Sequence, residues 1–328
     1  MLLAAVGVGA LLSLVLPQNG ANFRPARPMR TGNVVAVTMP PPEGFVWADD
    51  DSSPQAPEGA PCAAVKPSKL TVLFDADAVS AHVLARVEAA ATKAIAERGH
   101  FALAIPGGSI LKMLAGSKPE WAAKTTLAYV NHKAVPMEDA SLATHAKASA
   151  LFLDGWEGVN PILMGGSADA AAEAEAYEMA LRALPESVLP VSASGVAQFD
   201  MALIGVGDDG HVGSLYPGRD EVLDVSGRWV LPVDMKVPGS ITLSLPVMAN
   251  AKEVLIAACG VSDKYPQGKS VAMARGIEGD ESPSTFPAVG LRDVADWVLD
   301  AAAASTLSSD YAESFALQMS RGDCNPPA

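Results

Sequence analysis

The sequence predicts an α/β fold with a doubly wound, mostly parallel sheet and helices on both faces. Short apolar runs of strand length alternate with longer, Ala-rich segments of helical length from residue 68 to residue 305. Two of the runs end in glycine-rich turns, which are typical of strand-to-helix connections in such sheets. The chain has 328 residues, of which 49% are hydrophobic, enough for a large core. We therefore expect a single α/β domain over residues 68–305.

The predicted elements follow one another mostly as strand and helix in turn. Val79–Arg98 has apolar residues at helical spacing and is followed by Gly99, a residue typical of helix C-termini. Further helices are predicted over Ile110–Ala115, Ala168–Ala183 and, closing the domain, Val294–Ala304. The predicted strands are Leu70–Phe74, Phe101–Ile105, Leu127–Val130, Met201–Ile204, Ile241–Leu245 and Glu253–Ala258.

Residues 1–38 are expected to form a targeting leader. The first 16 residues carry no charged side chain, which suits the apolar region of a secretory signal better than a membrane helix of ~20 apolar residues. Three arginines follow within residues 24–30, with no acidic residue before Glu43. This order resembles the two-part plastid leaders of algae with secondary plastids and predicts a plastid location. A plain signal peptide and an uncleaved anchor are the alternatives, and the secretory pathway and cytoplasm stay open as locations.

Two further segments are predicted to lie outside the folded domain. Residues 39–67 are dense in proline and acidic side chains, which cannot bury a core, so we expect a linker. Residues 306–328 end in a Pro-Pro-Ala sequence and are expected to form a flexible tail.

The charge balance and the cysteines restrict the partners and cofactors. There are 23 Lys+Arg against 37 Asp+Glu, a net charge of −14, so nucleic acid is not an expected partner. A small anionic substrate needs only a few local cations. Cys62, Cys259 and Cys324 are far apart, and the five histidines have no metal-ligand spacing. We therefore predict no metal site and no disulfide framework.

The most informative segment follows the predicted strand Met201–Ile204. It continues through Gly207, Asp209 and Gly210 to His211, which places polar side chains at the carboxyl end of a strand, where open α/β sheets build their sites. Glycines supply no core around a histidine, so packing explains His211 poorly. An imidazole with a pKa near 7 suits a general base, and Asp209 is expected to hold its ring.

A second glycine-rich turn follows the predicted strand Phe101–Ile105. Gly107 and Gly108 let the backbone approach a ligand closely, and Ser109 precedes the predicted helix, whose first N–H groups attract anions. This turn by itself is also compatible with a tight connection that has no ligand.

Three segments together resemble the 6-phosphogluconolactonases. They are PGGS at 106–109, FDMALIGVGDDGHVGSLYPG at 199–218 and ITLSLPVMANAKEVLIAACG at 241–260, in the same order and spacing across residues 70–302. The resemblance implies a sugar-phosphate isomerase-like fold that needs no metal or organic cofactor. It implies hydrolysis of 6-phosphoglucono-δ-lactone in the oxidative pentose phosphate pathway, with His211 activating water. Backbone N–H groups of Gly107–Ser109 and Gly207–Gly210 are then expected to bind the oxyanion or the substrate hydroxyls.

The sequence departs from that family at one triplet. Where the family has Asp-Glu-Arg, this chain has Asn131, His132 and Lys133. Lys133 stands in place of the phosphate-binding arginine and keeps the charge without the bidentate fork. Asn131 also argues against the related glucosamine-6-phosphate deaminases, because an amide cannot take up a proton at neutral pH.

A second departure precedes the predicted strand Ile241–Leu245. Lys236 remains as a predicted phosphate ligand, but Gly239 and Ser240 replace the region that holds an arginine in the family. Three hypotheses follow: an active or weakened lactonase, an inactive lactonase fold serving as a subunit of a larger plastid assembly, and a sugar-phosphate sensor without turnover. With the leader removed, we expect no stable membrane insertion.

Overall fold

The computed structural model describes residues 70–260 and 268–308. The predicted leader (1–38) and linker (39–67), and residues 309–328 of the predicted tail, lie outside the described residues. The strands are β1 (Leu70–Leu73), β2 (Phe101–Ile105), β3 (Thr125–Tyr129), β4 (Asn131–Lys133), β5 (Asn160–Pro161), β6 (Met201–Ile204), β7 (Val230–Val233), β8 (Ser240–Leu243), β9 (Glu253–Ala258) and β10 (Ala295–Asp300). The helices are α1 (Ala76–Arg98), α2 (Ile110–Met113), α3 (Thr144–Leu151), α4 (Ala170–Arg182), α5 (Leu245–Ala249) and α6 (Ser270–Glu278).

The main sheet has seven strands in the order β1-β10-β9-β6-β2-β3-β5. Every pairing within it is parallel, which confirms the predicted fold class. From β2 the chain continues outward to β3 and β5, and then crosses to β6 on the other side of β2. The winding direction therefore reverses between β2 and β6, the type of position where open α/β sheets bind ligands.

A second, antiparallel sheet was not predicted. It has three strands in the order β4-β8-β7, and α4 packs against β7 and β8. The predicted strand Ile241–Leu245 corresponds to β8 and belongs to this small sheet, while Leu245 already starts α5.

Helix α1 shows why the longest predicted helix has its observed bounds. The side chain of Asp75 accepts a hydrogen bond from the backbone N–H of Ala78 (2.9 Å) and caps the first turn. Gly99 ends the helix at a φ of 80° and donates its N–H to the carbonyl of Ile95 (2.8 Å). The buried residues recur at helical spacing: Val79, Val83, Val87, Ala90, Ala91 and Ala94.

The predicted closing helix over Val294–Ala304 is wrong. Residues Ala295–Asp300 form β10, which pairs in parallel with β1 on one side and β9 on the other. Trp297, Val298 and Leu299 are at most 2% exposed. A strand covered on both faces has a continuous apolar run, which periodicity cannot distinguish from a buried helix. The two neighbouring strands supply backbone partners on both sides and favour the strand.

Candidate active site

Three polar segments meet at one edge of the main sheet. Residues 206–211, here called the base turn, follow β6; residues 106–109 follow β2; and Asn131 comes two residues after the end of β3. Because β6, β2 and β3 are adjacent and parallel, their carboxyl ends lie side by side at the point where the winding reverses. The sequence-predicted site residues of these three segments are therefore neighbours in space.

His211 is held by Asp209. Its Nδ1 lies 2.5 Å from Oδ1 of Asp209, and its backbone N–H donates to the same oxygen (3.1 Å). The imidazole is 23% exposed, so it is accessible to a ligand rather than enclosed in the core. With Nδ1 engaged by a carboxylate, Nε2 is the nitrogen suited to exchange a proton with water.

The environment of Asp209 keeps its carboxyl ionised. Burial opposes ionisation, but the hydrogen bond from the His211 backbone and the charge of the His211 ring outweigh it, and the pKa of Asp209 is lowered. An ionised Asp209 fixes the tautomer of His211 and stabilises the imidazolium once the ring has taken a proton.

The glycines of the base turn are required by shape. A Cβ at Gly207 would lie 2.1 Å from Nδ1 of His211, and a Cβ at Gly210 would lie 2.4 Å from the ring of Phe286. Gly210 also has a φ of 86°. The N–H of Gly207 donates to the carbonyl of His211 (2.9 Å), and that of Gly210 to the carbonyl of Gly207 (3.1 Å). Both N–H groups bond within the turn, so we attribute to these glycines the close approach of His211 rather than direct donation to a ligand.

The turn after β2 is tied through Asn131 to Ser214, three residues after the base turn. The N–H of Gly107 donates to Oδ1 of Asn131 (3.3 Å), and Nδ2 of Asn131 donates to Oγ of Ser214 (3.3 Å). Gly108 has a φ of 91°, a conformation that favours glycine. Among the described residues, no group accepts a hydrogen bond from the N–H of Gly108 or Ser109. These two N–H groups are therefore the better placed donors for an anionic ligand at this turn.

Lys133 contacts the segment that carries Lys236. Nζ of Lys133 donates to the carbonyl of Pro238 (2.9 Å). Burial, and then the ammonium of Lys236, lower the pKa of Lys133. An anion that contacts both ammonium groups would relieve this repulsion.

Tyr216 links this cationic pair to His211. Nζ of Lys236 lies 4.4 Å from the centre of the Tyr216 ring, and that ring centre lies 4.9 Å from the centre of the His211 ring. Lys236 Nζ is therefore no farther from the His211 ring centre than the sum of these distances, about 9.3 Å. His211 and Lys236 are consequently close enough to contact one ligand, and Lys133 bonds to the segment that carries Lys236.

The two departures from the lactonase pattern face each other. Lys133 on β4 and Ser240 on β8 are directly paired in the antiparallel ladder. We call these two strands the anion strand pair. The changes that appear 107 positions apart in the sequence thus concern one place, where a lysine and a buried serine stand opposite each other.

A cavity of about 910 Å³ adjoins the outer side of Lys236. Arg219 and Arg228 also line it, but Arg219 is bonded to Glu221 (2.8 Å) and Asp234 (2.6 Å). Its guanidinium is neutralised by these carboxylates, so Arg219 is not a candidate phosphate ligand.

Some residues near the site were not singled out from the sequence. Tyr216 belongs to the segment 199–218 that resembles the lactonases, but the sequence pattern assigns it no role. Phe286 packs under Gly210, and Nζ of Lys269 donates to the carbonyl of Val206 (2.6 Å) at the start of the base turn. The last two come from distant segments, so only the fold brings them here.

Two findings concern the described residues as a whole. Across 70–260 and 268–308, no group of three or more His, Cys, Asp or Glu side chains is placed to hold a metal ion. Over the same residues, no helix combines the length and apolarity needed to cross a bilayer. The expectation of a reaction without metal or organic cofactor stays a prediction.

Comparisons with known proteins bear on the family of this chain. The model of the glucosamine-6-phosphate isomerases/6-phosphogluconolactonase family matches residues 74–298. A 6-phosphogluconolactonase of Mycobacterium tuberculosis is 31% identical over 261 residues, covering 74% of this chain and 99% of that protein. A rice protein (Oryza sativa subsp. japonica) named "Probable 6-phosphogluconolactonase 3, chloroplastic" is 29% identical over 262 residues, covering 73% and 76%.

Solved structures give the same fold. The crystal structure of 6-phosphogluconolactonase from Leishmania guyanensis has a TM-score of 0.60 at 20% identity and covers 73% of this chain and 98% of its own. The family model spans most of the described domain, and the mycobacterial relative is similar over nearly its whole length. The chain therefore belongs to the glucosamine-6-phosphate isomerase/6-phosphogluconolactonase family.

Proposed function

We propose that this protein hydrolyses 6-phosphoglucono-δ-lactone to 6-phosphogluconate in the oxidative pentose phosphate pathway. The observation that carries the proposal is the His211–Asp209 pair, with Nδ1 2.5 Å from Oδ1, and its link to Lys236 through the Tyr216 ring. The names of the mycobacterial and rice relatives support the same activity. The enzyme is then a carboxylic ester hydrolase.

In the proposed mechanism His211 is the general base. Nε2 takes a proton from water as the water oxygen attacks C1 of the lactone, and the carbonyl oxygen becomes an oxyanion. The N–H groups of Gly108 and Ser109 are the proposed donors to that oxyanion. The intermediate then collapses, the bond from C1 to the ring oxygen breaks, and the imidazolium returns its proton to that oxygen. Base catalysis of this kind contributes typically ~10²–10⁴-fold.

The phosphate is proposed to bind between the two ammonium groups. Lys133 and Lys236 supply the charge, and the phosphate relieves their mutual repulsion. An ammonium is a point charge, whereas a guanidinium binds two oxygens at once. Each charge-assisted hydrogen bond lost relative to the family's arginines costs ~1.5–3 kcal/mol, so we expect a higher KM than a site with two arginines would have.

The decisive experiment measures lactone hydrolysis by the purified full chain against spontaneous ring opening. We expect His211→Ala to lower kcat by about 10²–10⁴-fold, with Asp209→Asn also impaired. His100→Gln is the matched control. His100 lies at the amino end of β2, away from the site at the carboxyl end of that strand, and bonds to Thr126. A wild-type rate no faster than spontaneous opening would refute the proposed activity.

The second candidate is a protein that binds the sugar phosphate without turnover, as a sensor or as a subunit of a larger assembly. The facing replacements at Lys133 and Ser240 favour it, whereas the intact His211–Asp209 pair opposes it. Calorimetry with 6-phosphogluconate on wild type, Lys133→Ala and Lys236→Ala separates the cases. Binding that depends on both lysines, in a protein without activity, would support the sensor.

We further propose delivery to the plastid by residues 1–38, with residues 39–67 as a linker. The leader's order of apolar and arginine-bearing segments supports this, as does the rice relative whose name includes "chloroplastic". A full chain carrying a C-terminal fluorescent tag should collect in plastids, and the same chain without residues 1–38 should not. Equal distribution of both would contradict the proposal.

A further inference from the structure

We infer that Tyr216 is a positioning residue that couples the phosphate-binding lysine to the general base. The inference rests on the proposed function and deepens it, because it assigns a role to a residue between the two halves of that site. Tyr216 lies in the loop after the base turn and is 7% exposed. Its ring contacts both His211 and Lys236.

The contact with His211 orients the imidazole. The two rings are 4.9 Å apart between centres and inclined by 38°, a tilted arrangement within the range of favourable aromatic pairs. Asp209 holds Nδ1 at one edge of the imidazole. Tyr216 packs against the ring and limits its rotation about the Cβ–Cγ bond, so the direction of Nε2 toward the attacked carbon depends on Tyr216 as well as on Asp209.

The contact with Lys236 holds a flexible cation in place. A lysine side chain is a flexible chain of four methylene groups with an ammonium at its end, so it needs a contact within the protein to stay in one position. For Lys133 that partner is the carbonyl of Pro238 (2.9 Å). For Lys236 it is the Tyr216 ring, 4.4 Å from Nζ, a cation–π geometry. The ring thereby keeps Lys236 near Lys133 despite their repulsion.

One ring in both contacts makes the two halves of the site dependent on each other. A phosphate bound at Lys236 draws Nζ toward itself and changes the cation–π contact of Lys236 with the Tyr216 ring. His211 packs against the same ring. Binding energy from the phosphate, which is remote from the reacting carbon, is then used to orient the base. The expected signature is that loss of the ring affects both KM and kcat.

Kinetics of three variants test this coupling. Tyr216→Phe keeps the ring and should stay close to wild type. Tyr216→Leu should raise KM by about 2–5-fold, the value of an exposed cation–π contact, and lower kcat by about 10-fold through a misdirected imidazole. With Lys236 already changed to Met, Tyr216→Leu should lower kcat but raise KM no further. A full additional rise in KM, or an unchanged kcat, would overturn the inference.

A binding experiment keeps the test independent of turnover and of folding defects. Ring resonances of His211 and side-chain resonances of Lys236 are followed by NMR while 6-phosphogluconate is added to the full chain. In wild type and Tyr216→Phe both residues should respond with one midpoint, whereas in Tyr216→Leu the Lys236 response should persist without that of His211. An unchanged His211 response in Tyr216→Leu refutes the coupling alone. Absence of any binding to wild type refutes it together with the proposed phosphate site.

Discussion

The base turn and the anion strand pair contribute to one site, yet they rest on different frames. The base turn follows a buried strand of the parallel sheet, and its backbone is closed by hydrogen bonds of its own, from Gly207 to His211 and from Gly210 to Gly207. The anion strand pair belongs to the small antiparallel sheet, and its cation reaches the site on a long side chain held by the Pro238 carbonyl. The first region fixes its functional group by backbone shape, and the second by side-chain partners.

This difference explains which half of the site tolerates change. A Cβ at Gly207 would lie within 2.7 Å of both His211 and Asp209, so the base turn accepts little variation. At the anion strand pair, Lys133 and Ser240 stand in a regular antiparallel ladder, whose backbone hydrogen bonds do not depend on the identity of either side chain. Divergence from the lactonase pattern is accordingly found in the second region.

The largest effect is expected from adding one methyl group to the base turn. Gly207→Ala places a Cβ 2.1 Å from Nδ1 of His211, so the imidazole must move, and a displacement of about 1 Å costs on the order of 10²-fold in kcat. Gly205→Ala is the matched control, since its Cβ meets only Ile110 Cδ1 at 3.8 Å. Equal activity of the two variants would remove the argument that backbone shape positions the base.

A smaller effect, on KM rather than kcat, is expected at the anion side. Lys236→Met keeps the length of the side chain and removes its charge, so one charge-assisted bond to the phosphate is lost. We expect KM to rise by about 10-fold or more, from ~1.5–3 kcal/mol for such a bond. Lys112→Met, on the exposed side of α2, is the control. A change confined to kcat would place Lys236 outside the phosphate site.

Local sequence signals were sufficient for the base turn and for its strand. The bounds of β2, β6 and β9 agree with the prediction, because each is a short apolar run limited by turn residues. The base turn could be located because its strand, glycines and histidine are consecutive. The neighbours Phe286 and Lys269 could not be located, since they come from distant segments. Tyr216 follows His211 in the same segment, but its contact with Lys236 depends on the fold.

The antiparallel sheet shows the opposite case. Strands β4 and β7 have three and four residues, too short for a periodic pattern, and β8 was recognised as a strand without its partners. The pairing of Lys133 with Ser240 is a long-range register, which a single sequence does not encode locally. In the sequence the two departures from the family are far apart. In the structure their residues Lys133 and Ser240 are paired across β4 and β8.

Acid should loosen the anion strand pair before the base turn. His132 on β4 is fully buried, donates from Nδ1 to the Lys133 carbonyl (2.7 Å) and accepts at Nε2 from the His145 N–H (3.1 Å). Burial is the main cause that lowers the pKa of His132. In the unfolded chain a histidine takes up its proton near pH 6.5, whereas folded His132 does so only at lower pH. The stability that neutral, buried His132 contributes is therefore complete above pH 6.5 and falls as the pH drops below it.

Hydrogen exchange measures this difference between the regions. Between pH 7.5 and 5.5, and after correction for intrinsic exchange, protection of the β4 amides should fall more than that of the β6 amides. The free energy of unfolding should also depend less on pH in His132→Gln. Other histidines with lowered pKa values, His82, His100 and His145, remain in that variant as an internal reference. Equal loss of protection in β4 and β6 would contradict the expectation.

The smallest expected effect restores part of the family's phosphate chemistry. Lys133→Arg returns a planar fork to the strand opposite Ser240, and the fork offers the phosphate one more hydrogen bond than the ammonium does. At the low end of the ~1.5–3 kcal/mol for such a bond, since the ammonium already makes one bond there, KM should fall by up to about 10-fold. Because the base turn is untouched, kcat should not change. A fall in kcat instead would mean that Lys133 also helps to place the reacting carbon, and the separation of the site into a base turn and an anion strand pair would fail. Lys112→Arg, with the same chemical change away from the site, supplies the reference.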